Sequence, residues 1–409
     1  MRGISFRKPG FANSLVLRIG LLILLALAAF TIGIIQLIGQ PTVNRLAETQ
    51  LRLASEQVES RYNRLLHSVE ITLRSSHGWG ASGVVDHREL SRFNELFFPI
   101  LANHDEINSI LLAHESGREL FLLLGKDGGW INRISNPGEW GRQSYWITWN
   151  AQRQIEKVEI RESDYDPRQR PWFQGAMALS SDAAVHWTQP YIFFTTKEPG
   201  MTAAMRWRDA DGSRYVIAHD VRLGEIAEFT TRLTLGSEGQ AALLLGDGRL
   251  IAPPRDARFT DAASINQTLL KMPDELGLGE LAQAHRLWRE EPDPDGELHA
   301  FVRPDGRWLS LFSRLDEDRT GVWLGVVAPQ RDFVPVSSAD LVVLGIILIS
   351  ALGLGIVVAI RIAERFGEPL NELTAESERI GRQELDSPVL TEAPWREVSQ
   401  LADALENMR

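Results

Sequence analysis

The order of apolar and polar positions places two long uncharged runs in the chain, with a mixed region between them. Positions 19–38 are apolar apart from Gln36, two glycines and one threonine, and positions 341–360 carry no charge. Twenty residues of helix span about 30 Å, the thickness of the hydrocarbon core of a bilayer. We therefore predict two transmembrane helices. The alternatives are a cleaved secretory signal for the first run and a buried core helix for either run.

Basic residues flank both runs on the side that we predict to be cytoplasmic. The first 18 residues carry four basic residues and no acidic one, and Arg361 and Arg365 follow the second run. We expect an uncleaved, two-pass protein. Residues 1–18 and 361–409 are predicted to lie in the cytoplasm, and residues 39–340 outside it.

A helical pattern follows the first run. Apolar residues recur at spacings of four, three, four and four, as on one face of a helix, at Val58, Tyr62, Leu65, Val69 and Leu73. We predict a stalk helix at about 42–76, which Gly78 and Gly80 end. Its apolar stripe has to be buried, and we expect both the domain that follows and a second copy of the helix to cover it.

Between the stalk and the second run, short strand-like segments alternate with signals for tight turns. Asp-Gly pairs at 127, 211, 247 and 305 each lie between apolar segments, as β-hairpins require. The predicted strands are Ile107–Ala113, Leu120–Leu124, Met201–Trp207, Tyr215–Val221, Ala241–Leu245, Arg307–Phe312 and Val322–Val327. Helical patterns fall at 89–102, 223–233 and 263–284.

One internal similarity suggests two lobes of related architecture. LLLGKDGGWI at 122–131 and LLLGDGRLI at 243–251 each read as strand, hairpin and strand. We predict two α/β lobes in series, a membrane-distal one at about 77–222 and a membrane-proximal one at about 235–334. Chance similarity between two hairpins is the alternative.

Two short amphipathic helices are predicted after the second run. Pro369 begins the first pattern, an extended piece follows at 385–394, and a second helix comes after it. The apolar positions of the two patterns are Leu370, Leu373, Ile380, Val398, Leu401, Leu405 and Met408. Neither helix is able to bury its stripe alone, so we expect a partner, most simply a second chain.

Composition excludes several classes of function. The net charge of −11 argues against a nucleic-acid partner, because phosphate binding needs a basic surface. The chain has no cysteine, which removes disulfides, thiolate metal sites and cysteine nucleophiles. Its last histidine is His299, so no phosphoacceptor histidine follows the second run. With no serine elbow, metal-ligand spacing or phosphate loop in evidence, we assign no catalytic residue, metal or cofactor.

The stretch YDPRQRPWFQGA, which begins at Tyr165, carries the densest chemistry. Arg170 presents a planar fork of donors that fits a carboxylate, Trp172 an apolar wall and Tyr165 a hydroxyl. Such a loop suits a small-ligand pocket. On the residues alone the alternative is equally good: Arg170 pairs on the surface with Asp164 or Asp166, and Trp172 lies in a core.

Residues 40–340 resemble a double Cache sensor, the extracytoplasmic domain of many bacterial chemoreceptors, sensor kinases and cyclases. The matching segments are YDPRQRPWFQGA, WTQPY (187–191), EPGMTAAM (198–205), YVIAHDVRLGEI (215–226), LGSEGQAALLLGDGRLIAPP (235–254) and GVWLGVVAPQRDF (321–333). Residues 361–409 resemble a HAMP domain through Pro369, the connector and Glu397. The resemblance implies an α+β fold: two PAS-like antiparallel-sheet lobes on a long N-terminal stalk helix, between two transmembrane helices and followed by a HAMP helical pair. It places the ligand in the membrane-distal lobe.

Amino-acid-binding members of this family use a Tyr, an Arg five positions on, a Trp-Tyr pair, and a later Tyr and acid. The resemblance therefore assigns ligand binding to Tyr165, Arg170, Trp172, Phe173, Tyr191 and Asp220. Two departures weaken the part that holds an ammonium group: Phe173 replaces a Tyr, and Phe193 stands near a position where an acid is expected. The predicted ligand is a small carboxylate first and an α-amino acid second, with a quaternary ammonium or purine ligand behind.

We interpret the chain as a homodimeric receptor of a bacterial inner membrane, in contact with lipid and with its sensor in the periplasm. It would relay ligand binding through the second transmembrane helix and the HAMP domain to a cytoplasmic output domain or protein. The alternative is the sensor part of a longer enzyme, cut off after the HAMP domain, with an amino acid as ligand. That enzyme would be a nucleotide cyclase, such as a diguanylate or adenylate cyclase, a PP2C-type phosphatase or a kinase.

Overall fold

The computed structural model describes residues 11–125, 127–290, 296–316, 319–334, 338–384 and 396–408. The chain forms two compact units, Asn44–Phe333 and a second made of Met1–Val43 with Val334–Arg409. The helices are α1 (Phe11–Ile34), α2 (Gln40–Ala81), α3 (Leu90–Asn103), α4 (Pro137–Trp140), α5 (Pro171–Ala178), α6 (Leu223–Thr231), α7 (Ala262–Thr268), α8 (Gly279–Arg289), α9 (Ser338–Gly381) and α10 (Arg396–Met408). A π-helical segment, Ile35–Gly39, joins α1 to α2.

The described strands form two antiparallel sheets. They are β1 (Ser109–His114), β2 (Glu119–Leu124), β3 (Trp130–Ser135), β4 (Gln143–Trp149), β5 (Ile155–Glu162), β6 (His186–Trp187), β7 (Tyr191–Ile192), β8 (Pro199–Arg208), β9 (Arg214–Arg222), β10 (Gln240–Leu245), β11 (Leu250–Ala252), β12 (Leu298–Arg303), β13 (Gly306–Arg314) and β14 (Val322–Pro329). The first sheet has the order β5-β4-β3-β2-β1-β9-β8-β6, with β7 also paired to β8, and the second has the order β11-β10-β14-β13-β12. All seven predicted strands are present, and the predicted α+β class is confirmed.

The long helix α2 buries one stripe of its surface in the unit Asn44–Phe333. Val58, Tyr62, Val69 and Leu73 are buried as predicted, but Leu66 takes the place assigned to Leu65. The helix runs beyond the predicted bound at about 76 and ends at Ala81, one residue after Gly80. Gly80 also allows a close approach: a Cβ there would lie 2.5 Å from the indole of Trp207.

The first sheet is covered on both faces. On one face α3 contacts β2, and the Asn94 and Asn132 amides form two hydrogen bonds of 2.9 Å between α3 and β3. On the other face, Trp172 and Phe173 of α5 pack against Leu111, Phe121 and Ala218. Successive residues of a strand face opposite sides of the sheet. Polar residues on the face that α5 covers therefore lie within this apolar layer and mark the candidate site.

The second sheet changes the meaning of the internal similarity. Both similar segments form hairpins, β2–β3 and β10–β11. However, the last strand of each sheet in chain order has different neighbours. In the second sheet β14 lies beside β10, the first strand of its hairpin, whereas in the first sheet β9 lies beside β1 and β8, and β1 precedes the hairpin β2–β3. The runs β2-β1-β9-β8 and β11-β10-β14-β13 correspond in order, so β10 matches β1, and the two similar hairpins occupy different places.

The predicted helix at 263–284 is broken in the structure. α7 ends at Thr268, Leu270 has a positive φ of 61°, and a 3-10 turn at Pro273–Leu276 precedes α8. A left-handed residue and a proline interrupt the helical hydrogen bonds, which the spacing of apolar residues does not reveal.

The other unit contains two helices that are long and apolar enough to cross a membrane. The segments are Val16–Gly33 in α1 and Val342–Arg365 in α9, and 0% and 6% of their residues are buried. They overlap the predicted spans. The sequence predicted a separate helix beginning at Pro369, and this is wrong, because α9 runs through it. Proline has a helical φ and removes one hydrogen bond, so the helix is able to continue.

The last described helix, α10, packs on the end of α9. Leu373 and Ile380 of α9 meet Val398, Ala402 and Leu405 of α10 in one apolar cluster. The two helical patterns therefore bury part of their stripes against each other within one chain. The extended connector predicted at 385–394 lies outside the described residues, and the HAMP assignment stays a prediction.

Candidate ligand-binding site

Five of the six residues that the sequence assigns to ligand binding line one cavity on the first sheet. They are Tyr165, Arg170, Trp172, Tyr191 and Asp220. The free volume enclosed by the lining side chains is about 20 Å³, room for a water molecule, so a larger ligand requires these side chains to move apart. Phe173 is not among the lining residues. Its ring packs 5.6 Å from that of Trp172, in the core beneath α5.

The register of the strands brings the polar floor of the cavity together. Asp220 on β9 lies opposite Ser109 on β1 and Thr202 on β8, and Arg133 on β3 lies opposite Phe121 on β2. Directly opposite residues share a face of a sheet. An acid and a base that are almost 90 positions apart in the sequence therefore face the same small space.

Asp220 supplies a buried carboxylate. Its two oxygens accept hydrogen bonds from the hydroxyls of Ser109 and Thr202, each at 2.6 Å. Burial raises the pKa of Asp220 to about 6, and the two hydroxyl donors oppose this rise. The charge of this wall of the cavity therefore changes just below neutral pH.

Arg170 is half-buried and free of an acidic partner among the described residues. The acids of its loop pair with other arginines, Asp166 with Arg168 at 2.8 Å and Asp164 with Arg142 at 2.6 Å. The surface ion pair that was the alternative interpretation of Arg170 is therefore wrong. A guanidinium without a carboxylate partner remains available to a ligand.

The contacts of Arg170 within the chain are weak ones. Its Nη2 donates a hydrogen bond of 3.2 Å to the carbonyl of Ile192, and the guanidinium lies 5.3 Å from the centre of the Tyr191 ring. Both contacts come from β7, so they hold the guanidinium against the same loop that lines the cavity. Planar guanidinium groups bind carboxylates through two parallel hydrogen bonds.

A buried ion pair lies at the floor, where the sequence did not indicate one. Arg133 and Glu119 are 1% and 0% exposed and are joined by an Nη2–Oε2 contact of 2.8 Å. Burial alone would lower the pKa of Arg133, but Glu119, Tyr165 and Asp220 together outweigh burial, and the pKa lies above its usual value. The guanidinium also lies 3.7 Å from the centre of the Tyr165 ring and donates to Thr195 at 2.5 Å.

Tyr165 takes part in this pair through its hydroxyl. The phenol donates to Oε1 of Glu119 at 2.5 Å, and burial raises its pKa, as does the nearby carboxylate. The hydroxyl that the sequence assigned to the ligand is therefore engaged within the protein. Tyr165 offers the cavity its ring.

Several lining residues had no role in the sequence interpretation, among them Asn108, Ser109, Arg133, Phe194 and Thr195. The amide nitrogen of Asn108 is buried and has no hydrogen-bond partner among the described residues. One signal was present in the sequence. Arg133 is the one charge in the strand segment 130–135, and Glu119 borders the apolar segment 120–124; a charge that becomes buried in such a place needs a partner.

The histidine beside Asp220 faces the other side of the sheet. His219 Nε2 lies 3.1 Å from the hydroxyl of Ser76 on α2, and burial lowers the pKa of His219 to about 3. A neutral imidazole pointing away from the cavity cannot act on a ligand there. Within the part of the chain that the structure describes, no group of three or more His, Asp or Glu residues could hold a metal ion. The arrangement suits binding.

The relatives of this chain include a chemotaxis protein and an adenylate cyclase. Over 226 residues (55% of this chain, 30% of the relative) the sequence is 24% identical to methyl-accepting chemotaxis protein McpB of Bacillus subtilis (strain 168). Over 253 residues (60% and 36%) it is 26% identical to Adenylate cyclase 1 of Rhizobium meliloti (strain 1021). The chain thus spans about a third of the length of either relative. No protein-family model matches the chain.

Among solved structures, the ligand-binding domain of Mlp24 with asparagine matches 71% of this chain and 95% of its own length, at 17% identity and a TM-score of 0.46. Residues 44–333 have the architecture that the resemblance predicted, two antiparallel sheets and one long helix.

Proposed function

We propose that this chain is a transmembrane receptor that binds a small carboxylate ligand in the cavity of the first sheet. An α-amino acid is the ligand that fits the charges best. It relays binding through α9 and the HAMP region to a cytoplasmic output, as a dimer in a bacterial inner membrane with the sheets in the periplasm. The observation that carries the proposal is that Arg170, which has no acidic partner among the described residues, and the buried Asp220 line one small cavity.

The charges of the cavity support a ligand with both signs. Arg133 is neutralised by Glu119, which leaves Arg170 and Asp220 as the groups whose charge a ligand has to balance. A carboxylate on Arg170 and an ammonium on Asp220 would satisfy both, since a buried charge is costly unless it is paired. Asp220 thus supplies an acid for an ammonium group, although Phe193 stands near the position where the sequence comparison expected one.

A route for the signal leads from the cavity to α2. Asp220 and His219 are neighbours on β9, so a shift of the carboxylate moves the imidazole that contacts Ser76 on the long helix. Further along α2, Glu70 accepts hydrogen bonds from Trp187 of β6 at 2.9 Å and from Arg319, beyond β13, at 3.1 Å. One helix therefore contacts the first sheet and the connection between β13 and β14 of the second, and two packings of similar energy would make it a switch.

A second candidate is the sensor part of a longer enzyme. The similarity to an adenylate cyclase favours it, because that relative matches 60% of the chain and the chemotaxis protein matches 55%. The same ligand site would then control a catalytic domain. The coding sequence that follows Arg409 decides between the two outputs.

Calorimetry with the full chain in lipid nanodiscs tests the ligand. The panel contains α-amino acids and their deamino analogues, such as L-alanine and propanoate, which differ by the ammonium group. We expect at least one carboxylate to bind. If no member of the panel binds at any pH, the proposed function is wrong.

The pH dependence of binding separates the two ligand classes. A ligand with an ammonium group stabilises the ionised form of Asp220, so its affinity should rise by about tenfold between pH 5 and pH 7.5, through the pKa of about 6. A ligand with only a carboxylate is repelled by ionised Asp220, so its affinity should rise as the pH falls. Asp220→Asn should remove either dependence. A slope that survives this change would assign the proton to another group.

A further inference from the structure

Two lining residues of the cavity are joined by a third that the ligand cannot reach. The hydroxyl of Tyr191 lies 2.8 Å from that of Thr202, and Thr202 donates to Oδ1 of Asp220 at 2.6 Å. Tyr191 and Asp220 line the cavity, whereas Thr202 is 0% exposed within β8. Three groups therefore form one hydrogen-bonded chain with its two ends at the site.

The number of protons fixes the direction of this chain. An ionised carboxylate only accepts hydrogen bonds, and a threonine hydroxyl has one proton to donate. When Asp220 is ionised, Thr202 spends its proton on Asp220, so the contact between the two hydroxyls requires Tyr191 to donate. The phenol then offers the cavity only its lone pairs. When Oδ1 of Asp220 carries a proton, Thr202 accepts it and donates to Tyr191, whose own proton becomes available to a ligand.

We propose that Thr202 is a positioning residue that transmits the protonation state of Asp220 to the hydroxyl of Tyr191. The cavity then presents two acceptors to an ammonium group when Asp220 is ionised, the carboxylate and the phenol oxygen. When Oδ1 of Asp220 carries the proton, Thr202 accepts that proton, and the Tyr191 hydroxyl is the donor that the chain offers to a carboxylate. Thr202 thereby makes the hydroxyl of Tyr191 follow the charge of Asp220. This inference rests on the ligand site proposed above.

The surroundings favour Thr202 as the connection. The charged groups around Asp220 are Glu119 on β2 and Arg133 on β3, which pair with each other, and Arg170 at the loop before α5. His219 on β9 faces α2 and is neutral above about pH 4, since burial lowers its pKa to about 3. Ser109 on β1 contacts the other oxygen of Asp220, and no described hydrogen bond joins it to Tyr191.

The backbone holds Thr202 in place from the neighbouring strand segment. Its N–H donates to the hydroxyl of Thr188 at 2.9 Å, and its carbonyl accepts from the Thr188 N–H at 3.0 Å. Thr230 on α6 is also buried, at 0%, and its hydroxyl donates to two backbone carbonyls away from Tyr191 and Asp220. Thr230→Val is therefore a matched control for Thr202→Val, because each removes one buried threonine hydroxyl with little change of shape.

The test follows the phenol directly in the full chain, in lipid nanodiscs without ligand. Tyrosine labelled with ¹³C at Cζ reports the hydrogen bonding of each hydroxyl, and the chain has five tyrosines, so Tyr191→Phe assigns the signal. We expect the Tyr191 signal to titrate with a midpoint near pH 6 in the wild type, in Thr202→Ser and in Thr230→Val. In Thr202→Val and Asp220→Asn most of this shift should be lost.

Each departure from this pattern overturns the inference. A shift of wild-type size in Thr202→Val means that the charge of Asp220 acts on Tyr191 through space. A shift that persists in Asp220→Asn means that another group titrates. Failure of Thr202→Ser to retain the shift means that the hydroxyl is not the connection.

Binding of L-alanine and propanoate to the same variants keeps the two proposals apart. The ratio of the affinities for L-alanine and propanoate should change with pH. We expect this change to be smaller in Thr202→Val and of wild-type size in Thr202→Ser. If the NMR pattern holds but no carboxylate binds, the proposed function fails and the hydrogen-bonded chain stands. If carboxylates bind but the NMR pattern is absent, the ligand site stands and the role of Thr202 fails.

Discussion

Arg170→Ala is expected to weaken ligand binding by roughly 30- to 1,000-fold, which corresponds to about 2–4 kcal/mol. The guanidinium lines the cavity and lacks an acidic partner among the described residues, so its removal leaves the ligand carboxylate unpaired in a partly buried place. Its contacts within the chain are one hydrogen bond of 3.2 Å and one aromatic ring, so the fold should persist. Calorimetry on the full chain, with the ligand identified from the panel, measures the loss.

Two neighbouring substitutions make the experiment specific. Arg168→Ala removes the same side chain from the same loop, but Arg168 is paired with Asp166 and is not among the lining residues, so affinity should change by less than about threefold. Arg170→Lys keeps the charge and loses the planar fork, so it should fall between the wild type and the alanine variant. Unchanged affinity in Arg170→Ala would place the ligand elsewhere.

Arg133→Leu is expected to destabilise the protein by about 3–5 kcal/mol, the usual result of removing one partner of a buried ion pair. Glu119 is 0% exposed and would remain with the Tyr165 hydroxyl as its described hydrogen-bond donor. The ring contact of 3.7 Å between Arg133 and Tyr165 is lost as well. Urea unfolding of the full chain, followed by tryptophan fluorescence, measures the change.

The control for this loss is an arginine of the same chain in an exposed pair. Arg249 is 45% exposed and pairs with Asp247 at 2.8 Å, so Arg249→Leu should cost less than about 1 kcal/mol. The double variant Glu119→Leu/Arg133→Leu should recover part of the loss, because it leaves no unpaired charge in the core. If Arg133→Leu is no more destabilising than Arg249→Leu, the buried pair contributes little to stability.

The sequence by itself determined the elements whose signals are local. Uncharged runs of about 20 residues predict helices of membrane-crossing length, and Asp-Gly pairs between apolar segments predict hairpins. These signals suffice because they depend on residues close together in the chain. The loop from Tyr165 onward was also recognisable, since its arginine and tryptophan lie within eight positions. Where a backbone conformation interrupted an apolar pattern, as at Leu270 within the predicted helix at 263–284, the prediction failed.

Only the tertiary structure decided how the site is assembled. The pairing of Asp220 with Ser109 and Thr202 follows from the register of β9 with β1 and β8, and sequence spacing carries no information about register between distant strands. The hydroxyl of Tyr165 was assigned to a ligand until the fold placed Glu119 beside it. Hydrophobic patterns specify which face of a strand is buried, but the identity of a polar partner on that face depends on which strands become neighbours.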